Sequence, residues 1–412
     1  MFKSIFIKNF SNLIINQCIN IFIVLLATRV LFNRLGEAQY GLVNLALSVV
    51  LLLSITVSYG YHLNGPKRIA LFRDDSVKKQ TLINEIIVTR IIIAIGMAII
   101  LFCLSYFFGF FKSYASLLYY SLILLFSQAL FPMFYVQGND KIEWFSLVNI
   151  FAKGSYLILI VLFIKTPKDA TYVNFIFGFT ALMVYTVFWI IIYKKEKIKW
   201  VWVSIHNIKK RFIENFQFFT SSIAGHVSIH GGLIVLASFV NNTVLGEFAL
   251  AQKIALLMRM IPVFFTQAVL QKATILFKKD KTEFNSYINQ IFIVGLSITF
   301  VMGLSVIILS KWIIFLFAGS HVIYSQTILK ILAFIPFLSM LNFNNMIKIL
   351  VNEKKHLLSR ASWVTAIIML ILAIIGSYYY GGYGLSIALV LTEIMSFIVY
   401  SKLLKKNKHE RT

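Results

Sequence analysis

Six basic residues, Arg29, Arg90, Lys153, Lys253, Arg259 and Lys330, stand inside stretches that are otherwise apolar. The chemistry they offer is anion binding, because guanidinium and ammonium groups present fixed positive charge and several N–H donors to a carboxylate or phosphate. Facing hydrocarbon, the six together would cost on the order of 15–20 kcal/mol. That exceeds a typical folding free energy, so most of them must face water, a partner or a ligand. Acids are scarce by comparison. Glu393 alone falls near the middle of an apolar stretch, whereas Glu85, Glu143, Glu214 and Glu247 fall at stretch ends. The expected interior keeps an excess of positive charge, and a cavity of that sign attracts an anion.

Uncharged polar residues recur at helical spacing around these cations. Asn9, Asn12, Asn16 and Asn20 form one stripe, and Asn215, Ser222, His226 and His230 form another. Two readings stay open for them: the lining of a cavity, or hydrogen bonds between packed helices. Gln252, Arg259 and Thr266 repeat every seven residues, with Lys253, Gln267 and Gln271 on an adjoining strip, so one helix carries a polar face. Arg259 is the cation least able to reach the membrane surface. Arg29 lies near the end of its stretch and either snorkels or lines the cavity. The same alternatives hold for Arg90 and Lys153, roughly 12–14 Å from the cytoplasmic ends at 1.5 Å per residue. Lys330 sits near the middle of its stretch. Glu393 is either a proton or cation coupling site or a neutral acid held by a neighbour. Pro132, Pro262 and Pro336 interrupt apolar stretches and mark bends or hinges.

The elements that carry these residues follow from composition. The chain has 412 residues, 59% of hydrophobic type and 13% charged, where a soluble domain carries about 25% charged residues. Apolar runs of about 20 residues recur from end to end, each long enough to cross roughly 30 Å of hydrocarbon. Alternating ten-residue segments, the mark of a membrane β-barrel, are missing. The predicted fold is therefore an all-α integral membrane protein. Its approximate transmembrane helices are 10–32, 41–62, 82–108, 114–137, 144–165, 171–193, 213–240, 246–270, 286–308, 321–347, 359–380 and 381–401. The basic connection around 194–211 divides these twelve into two six-helix bundles, 1–200 and 201–412. One alternating set of connections and termini holds 28 Lys and Arg and the other holds 5, which places both termini in the cytoplasm.

The formal net charge of +24 is thus mostly topology. Clusters such as Lys67, Arg68, Arg73, Lys78 and Lys79, or Lys194, Lys195, Lys197 and Lys199, are expected against anionic membrane lipid rather than nucleic acid. Cys18 and Cys103 fall in apolar runs and suggest neither a disulfide nor a metal site. No cofactor is expected. The first residues lack a cleavable signal pattern. The connections are short, with no room for a soluble catalytic domain, so a transporter is expected rather than an enzyme.

Leu35-Gly36-Glu37 before the second predicted helix is echoed by Leu245-Gly246-Glu247 before the eighth. Six helices per half give both halves the same polarity, a parallel repeat of the kind that places substrate between bundles and alternates access. The segment Thr28–Gly41 resembles the first hairpin of polysaccharide flippases. Val244–Lys253 is similar to the second-half pattern of that family, and Tyr380–Ala388 resembles its entry to the last helix. Phe248 and Lys272 depart from residues common there. The resemblance is to O-antigen repeat-unit flippases (Wzx-type) of the multidrug/oligosaccharidyl-lipid/polysaccharide (MOP) exporter superfamily, and it covers essentially the whole chain.

That resemblance implies a MATE-like, V-shaped pair of six-helix bundles in the inner membrane of a bacterial cell. It implies a polyprenyl-diphosphate-linked oligosaccharide as substrate, moved from the cytoplasmic to the outer leaflet. Arg29, Arg90, Lys153, Lys253, Arg259, Lys330, Asn16 and Asn20 are then the substrate-binding candidates, and Glu393 the coupling candidate. Other polysaccharide-assembly membrane proteins are possible partners. The alternative within the superfamily is a drug/cation antiporter, which needs buried acids that the first predicted helix lacks.

Overall fold

The computed structural model of the chain describes residues 2–108, 111–201, 203–352 and 354–409. Side chains are described from Ile19 to Lys406, apart from those of Ser113, Ile142, Ile205, Gln271 and Lys355 within these ranges. All regular structure among the described residues is helical. Ten helical segments among the described residues are long and apolar enough to cross a membrane. The first, Ile19–Leu71, and the last, His356–Lys406, run for 53 and 51 residues. Each is interrupted by a glycine and has the length for two crossings at 1.5 Å per residue. The twelve spans read from hydropathy map onto these ten segments in that way.

The chain forms two compact units, Met1–His226 and Val227–Thr412. Unit 1 contains α1 (Phe2–Ser58), α2 (Tyr61–Leu71), α3 (Ser76–Phe107), α4 (Ala115–Ser121), α5 (Ile123–Leu130), α6 (Met133–Gly138), α7 (Ile142–Phe163) and α8 (Ala170–Lys195). Helix α9 (Ile205–Leu236) runs through the boundary, which therefore lies beyond the basic connection expected to divide the halves. The local reason is hydrogen bonding. The first half of α9 is tied to α2, where Asn64 Nδ2 donates to Asn215 Oδ1 at 3.0 Å and Ser222 Oγ lies 3.3 Å from His62 Nε2. Tyr59 stacks on Phe219 with ring centroids 4.5 Å apart. Part of the second polar stripe thus serves helix packing.

Gly36 turns the first hairpin with φ 73° and ψ 169°, a backbone region that is essentially glycine-only. Next to it, Arg34 Nη1 donates to the Val161 and Ile164 carbonyls at 2.6 and 2.8 Å. These groups end α7 and have no helical donor, so the Arg-Leu-Gly triplet both makes the turn and caps a neighbour. The second copy of the motif behaves differently. Gly246 lies inside α10 (Asn242–Lys279), whose N-cap is Asn241. The chain has already turned a few residues earlier, so the two copies share a connection but not a conformation.

Unit 2 continues with α11 (Lys281–Ala318), α12 (Ile323–Leu332), α13 (Ile335–Leu341), α14 (Phe343–Val351) and α15 (Lys355–His409). Val269, Ala273, Phe284, Ile288, Met340 and Phe343 form an apolar core between α10, α11, α13 and α14. Helix α15 folds back at Gly381, φ 55°, and Tyr324 Oη accepts from the Gly382 N–H at 3.0 Å. Its two arms meet backbone to backbone, because a Cβ on Gly384 would lie 1.9 Å from the Gly376 carbonyl oxygen. Gly384→Ala is expected to lower the thermal midpoint in detergent, with a loss of about 1–3 kcal/mol from overpacking. Gly96→Ala, whose Cβ meets nothing within 4 Å, should leave the midpoint within about 0.5 kcal/mol of its starting stability. Equal midpoints for the two variants would contradict the close approach.

Candidate functional site

Polar groups inside unit 2 converge on one cavity. Its volume is about 50 Å³, and α9, α10, α12, α13 and α15 contribute to its wall. Gln252 and Arg259, the seven-residue repeat of α10, both line it. Across from them, Thr392, Glu393 and Ser396 lie on one face of the last arm of α15, and Thr365 lies on the preceding arm. Arg259 Nη2 stands 2.5 Å from Glu393 Oε1. The Arg259 side chain is 31% exposed and the Glu393 side chain 8%, so the cation is the more accessible member of the pair. The expected excess of positive charge is therefore absent from this cavity: one cation meets one anion. The pair also explains how two ionised groups persist among apolar helices, since each supplies the charge the other needs.

The remaining predicted residues are dispersed. In unit 2, Lys253 is half-buried on α10 without lining the cavity, and Lys330 is exposed on α12. In unit 1, Arg29 is exposed on the same face of α1 as the exposed Phe22 and Leu26. Lys153 is half-buried on α7. Asn20 is buried, and its Oδ1 has no hydrogen-bond partner. The side chain of Asn16 lies outside the described residues. Among the described residues no group of three or more His, Cys, Asp or Glu could hold a metal ion.

Arg90 is 1% exposed and serves the backbone. Pro132 cuts the helix between α5 and α6, because proline has no N–H and its ring clashes with the preceding turn. Tyr135 N–H bonds to the Pro132 carbonyl rather than to that of Phe131. The Phe131 carbonyl instead accepts from Arg90 Nη1 at 3.0 Å, and the Leu130 carbonyl accepts from Trp189 Nε1 at 2.8 Å. The guanidinium also lies over the rings of Phe134 and Tyr61, at 5.3 and 5.9 Å from their centroids. Two side chains thus serve carbonyls that the helix break leaves without helical donors, as membrane burial requires.

Sequence reasoning missed a second charged cluster, at the ends of the unit 1 helices. Arg211 Nε binds Glu85 at 2.7 Å and its Nη1 binds Glu214 at 2.9 Å, while Arg68 also reaches Glu214 at 2.8 Å. Glu196 gathers Lys79 at 2.8 Å, Lys141 at 3.3 Å and the Tyr135 hydroxyl. Burial pushes the Glu196 carboxyl up, but its Lys79, Tyr135 and Lys141 partners hold it below its ordinary value. Several cations expected against lipid are therefore bound within the protein. The spacing of Thr392, Glu393 and Ser396 was a usable signal for the cavity wall, since three- and four-residue steps share a helix face.

This architecture has solved counterparts. A multidrug resistance MATE family transporter of the MOP superfamily, in its inward-facing conformation, superposes with TM-score 0.76 over 92% of this chain and 94% of the other, at 14% identity. The lipid II flippase MurJ, in an inward closed conformation, matches with TM-score 0.72 over 97% and 87%, at 18% identity. The fold is thus that of MOP superfamily membrane transporters. In sequence, residues 6–271 match the polysaccharide biosynthesis protein family, and the chain belongs to it. Two relatives carry the name "Putative O-antigen transporter". The one from Shigella dysenteriae is 24% identical over 87% of this chain and 89% of its own length. The one from Escherichia coli strain K12 is 23% identical over 60% of each chain.

Arg90→Gln is expected to destabilise the protein by about 1–3 kcal/mol, the cost of leaving a buried carbonyl unsatisfied, and to lower the thermal midpoint in detergent. Trp189→Phe should act in the same direction. An Arg90→Gln protein with an unchanged midpoint would contradict the clamp.

Proposed function

We propose that this protein is a flippase carrying polyprenyl-diphosphate-linked oligosaccharide units from the cytoplasmic to the outer leaflet of a bacterial inner membrane. The observation that carries this reading is the placement of Arg259, a guanidinium lining a cavity within an apolar helical unit. A diphosphate is an anion such a group recognises through paired charge-assisted hydrogen bonds. Gln252, Thr365, Thr392 and Ser396 line the same cavity and offer the donors and acceptors that sugar hydroxyls need. The prenyl tail stays in the bilayer. Membership of the polysaccharide biosynthesis family, the names of the two bacterial relatives and the likeness to MurJ support the same substrate class.

In this reading the two halves, 1–200 and 201–412, alternate access with both termini in the cytoplasm. Lys253, Lys330, Arg29, Lys153 and the asparagines Asn16 and Asn20 supply secondary contacts along the path, and Arg90 holds the first half in shape. The exposed lysines beside α8 face anionic lipid, and other membrane proteins of polysaccharide assembly are its neighbours in the pathway. The chain transports and does not catalyse. A MATE-like drug/cation antiporter is the second reading, favoured by the fold likeness alone. The pairing of Glu393 with Arg259 speaks against it, because a cation site needs a carboxylate that is not already neutralised.

Deleting the protein from its host is expected to abolish surface polymer and to leave repeat units on the cytoplasmic face, read by extracting both pools. An Arg259→Glu protein should reach the membrane at normal levels while export falls about 10- to 150-fold, the equivalent of a charged hydrogen bond of about 1.5–3 kcal/mol. Unchanged polymer with new sensitivity to cationic toxic compounds would favour the antiporter. Normal export by Arg259→Glu would remove the site.

A further inference from the structure

We infer that Glu393 is an internal stand-in for the substrate phosphate: an anion that binds Arg259 displaces the carboxylate, which then takes up one proton. The inference rests on the reading of Arg259 as the diphosphate site and adds a regulation to it. The geometry is that of an exchange. Glu393 Oε1 lies 2.5 Å from Arg259 Nη2, where a phosphate oxygen would sit, and its side chain is the more buried of the two. A phosphate entering from the open side meets the more exposed partner and competes for the same nitrogen.

The fate of the displaced carboxylate follows from its surroundings. From α10 it meets Arg259 and shares the cavity with neutral Gln252, and α9 brings Ser228 to the same cavity. Helices α12 and α13 bring Leu332 and Ile335, and the first arm of α15 brings Thr365. Its own arm adds Thr392 and Ser396. Tyr400, 3.4 Å from Ser362 Oγ, interacts electrostatically with both Glu393 and Arg259. No second cation stands among these groups. A carboxylate left there without Arg259, and beside a phosphate, is a buried unpaired charge repelled by its replacement. Such a group neutralises by protonation. The balance is simple: Arg259 stays charged and passes from carboxylate to phosphate, and one proton from solution closes the Glu393 O–H. Thr365 Oγ1, buried and without a hydrogen-bond partner, provides an acceptor in the same cavity for that new donor.

Linkage sets the sign. The bound state holds one more proton than the free state, so affinity weakens as pH rises, by up to about tenfold per unit over the window in which only the displaced carboxyl is protonated. The empty carrier keeps the pair and a neutral cavity. The loaded carrier keeps an arginine–phosphate pair and a neutral acid.

The test uses the full chain in lipid nanodiscs and a short-chain prenyl-diphosphate-linked N-acetylglucosamine, whose two phosphates each carry one fixed charge near neutral pH. Calorimetric titration in two buffers of different ionisation heat counts protons exchanged on binding. The wild type is expected to take up about one proton per ligand, with a Kd that weakens from pH 6 to pH 8. Glu393→Gln should bind more tightly at pH 8, without proton uptake and without pH dependence. Wild-type binding with no proton exchange would overturn the exchange while leaving the flippase reading intact. So would a Glu393→Gln protein that still takes up the proton. Absence of binding by the wild type and by Glu393→Gln at every pH would overturn the flippase reading and the exchange together.

Discussion

A guanidinium cannot be left alone among apolar helices, and Arg90 and Arg259 meet that constraint in opposite ways. Arg90 spends its charge on the backbone, filling the carbonyl that the Pro132 break strands and stacking between two aromatic rings. It is thereby built into unit 1. Arg259 is met by a single carboxylate on the other wall of a cavity. That partner can be exchanged for another anion without cutting a helix. The difference between a carbonyl fixed in the chain and a carboxylate on a rotatable side chain separates a structural cation from one suited to binding. It also explains why a count of intramembrane cations overstates the charge open to a substrate.

The same constraint shapes the polar residues that bear no charge. Asn64 and Asn215 satisfy each other across α2 and α9, and Asn174 Nδ2 donates to the Val43 carbonyl at 3.0 Å. Asn342 Nδ2 reaches Ser396 Oγ at 3.0 Å, which orders the cavity wall from behind. These are contacts between helices that hydrophobic packing alone would leave unspecified.

Much of this was legible in the sequence. Length and hydropathy of the apolar runs yield the helical membrane fold, because a lipid environment admits so few alternatives. The seven-residue repeat of Gln252 and Arg259 pointed to the face of α10 that lines the cavity, and Glu393 stood out as the one acid in mid-span. Their pairing was not legible, since nothing local connects two helices so far apart in the chain. Arg90 could not be told from a ligand-binding cation, because its partner is a backbone carbonyl and every residue has one. The Leu-Gly-Glu repeat was visible, yet the conformation was not. Gly36 takes a positive φ and Gly246 continues a helix, a difference set by where each turn begins. Lys253 shared the polar side of α10 in projection but not the cavity, as helix ends and side-chain reach shift what a helical wheel places together.

In the proposed function Arg259 is the group that holds a lipid-linked diphosphate during its passage. Its most direct test is translocation by the purified protein in liposomes carrying a fluorescent prenyl-diphosphate-linked sugar, with wild type compared against Arg259→Gln at matched protein incorporation. The account predicts label crossing between leaflets with the wild type and a rate near that of empty liposomes with Arg259→Gln. Equal translocation by both proteins would contradict it.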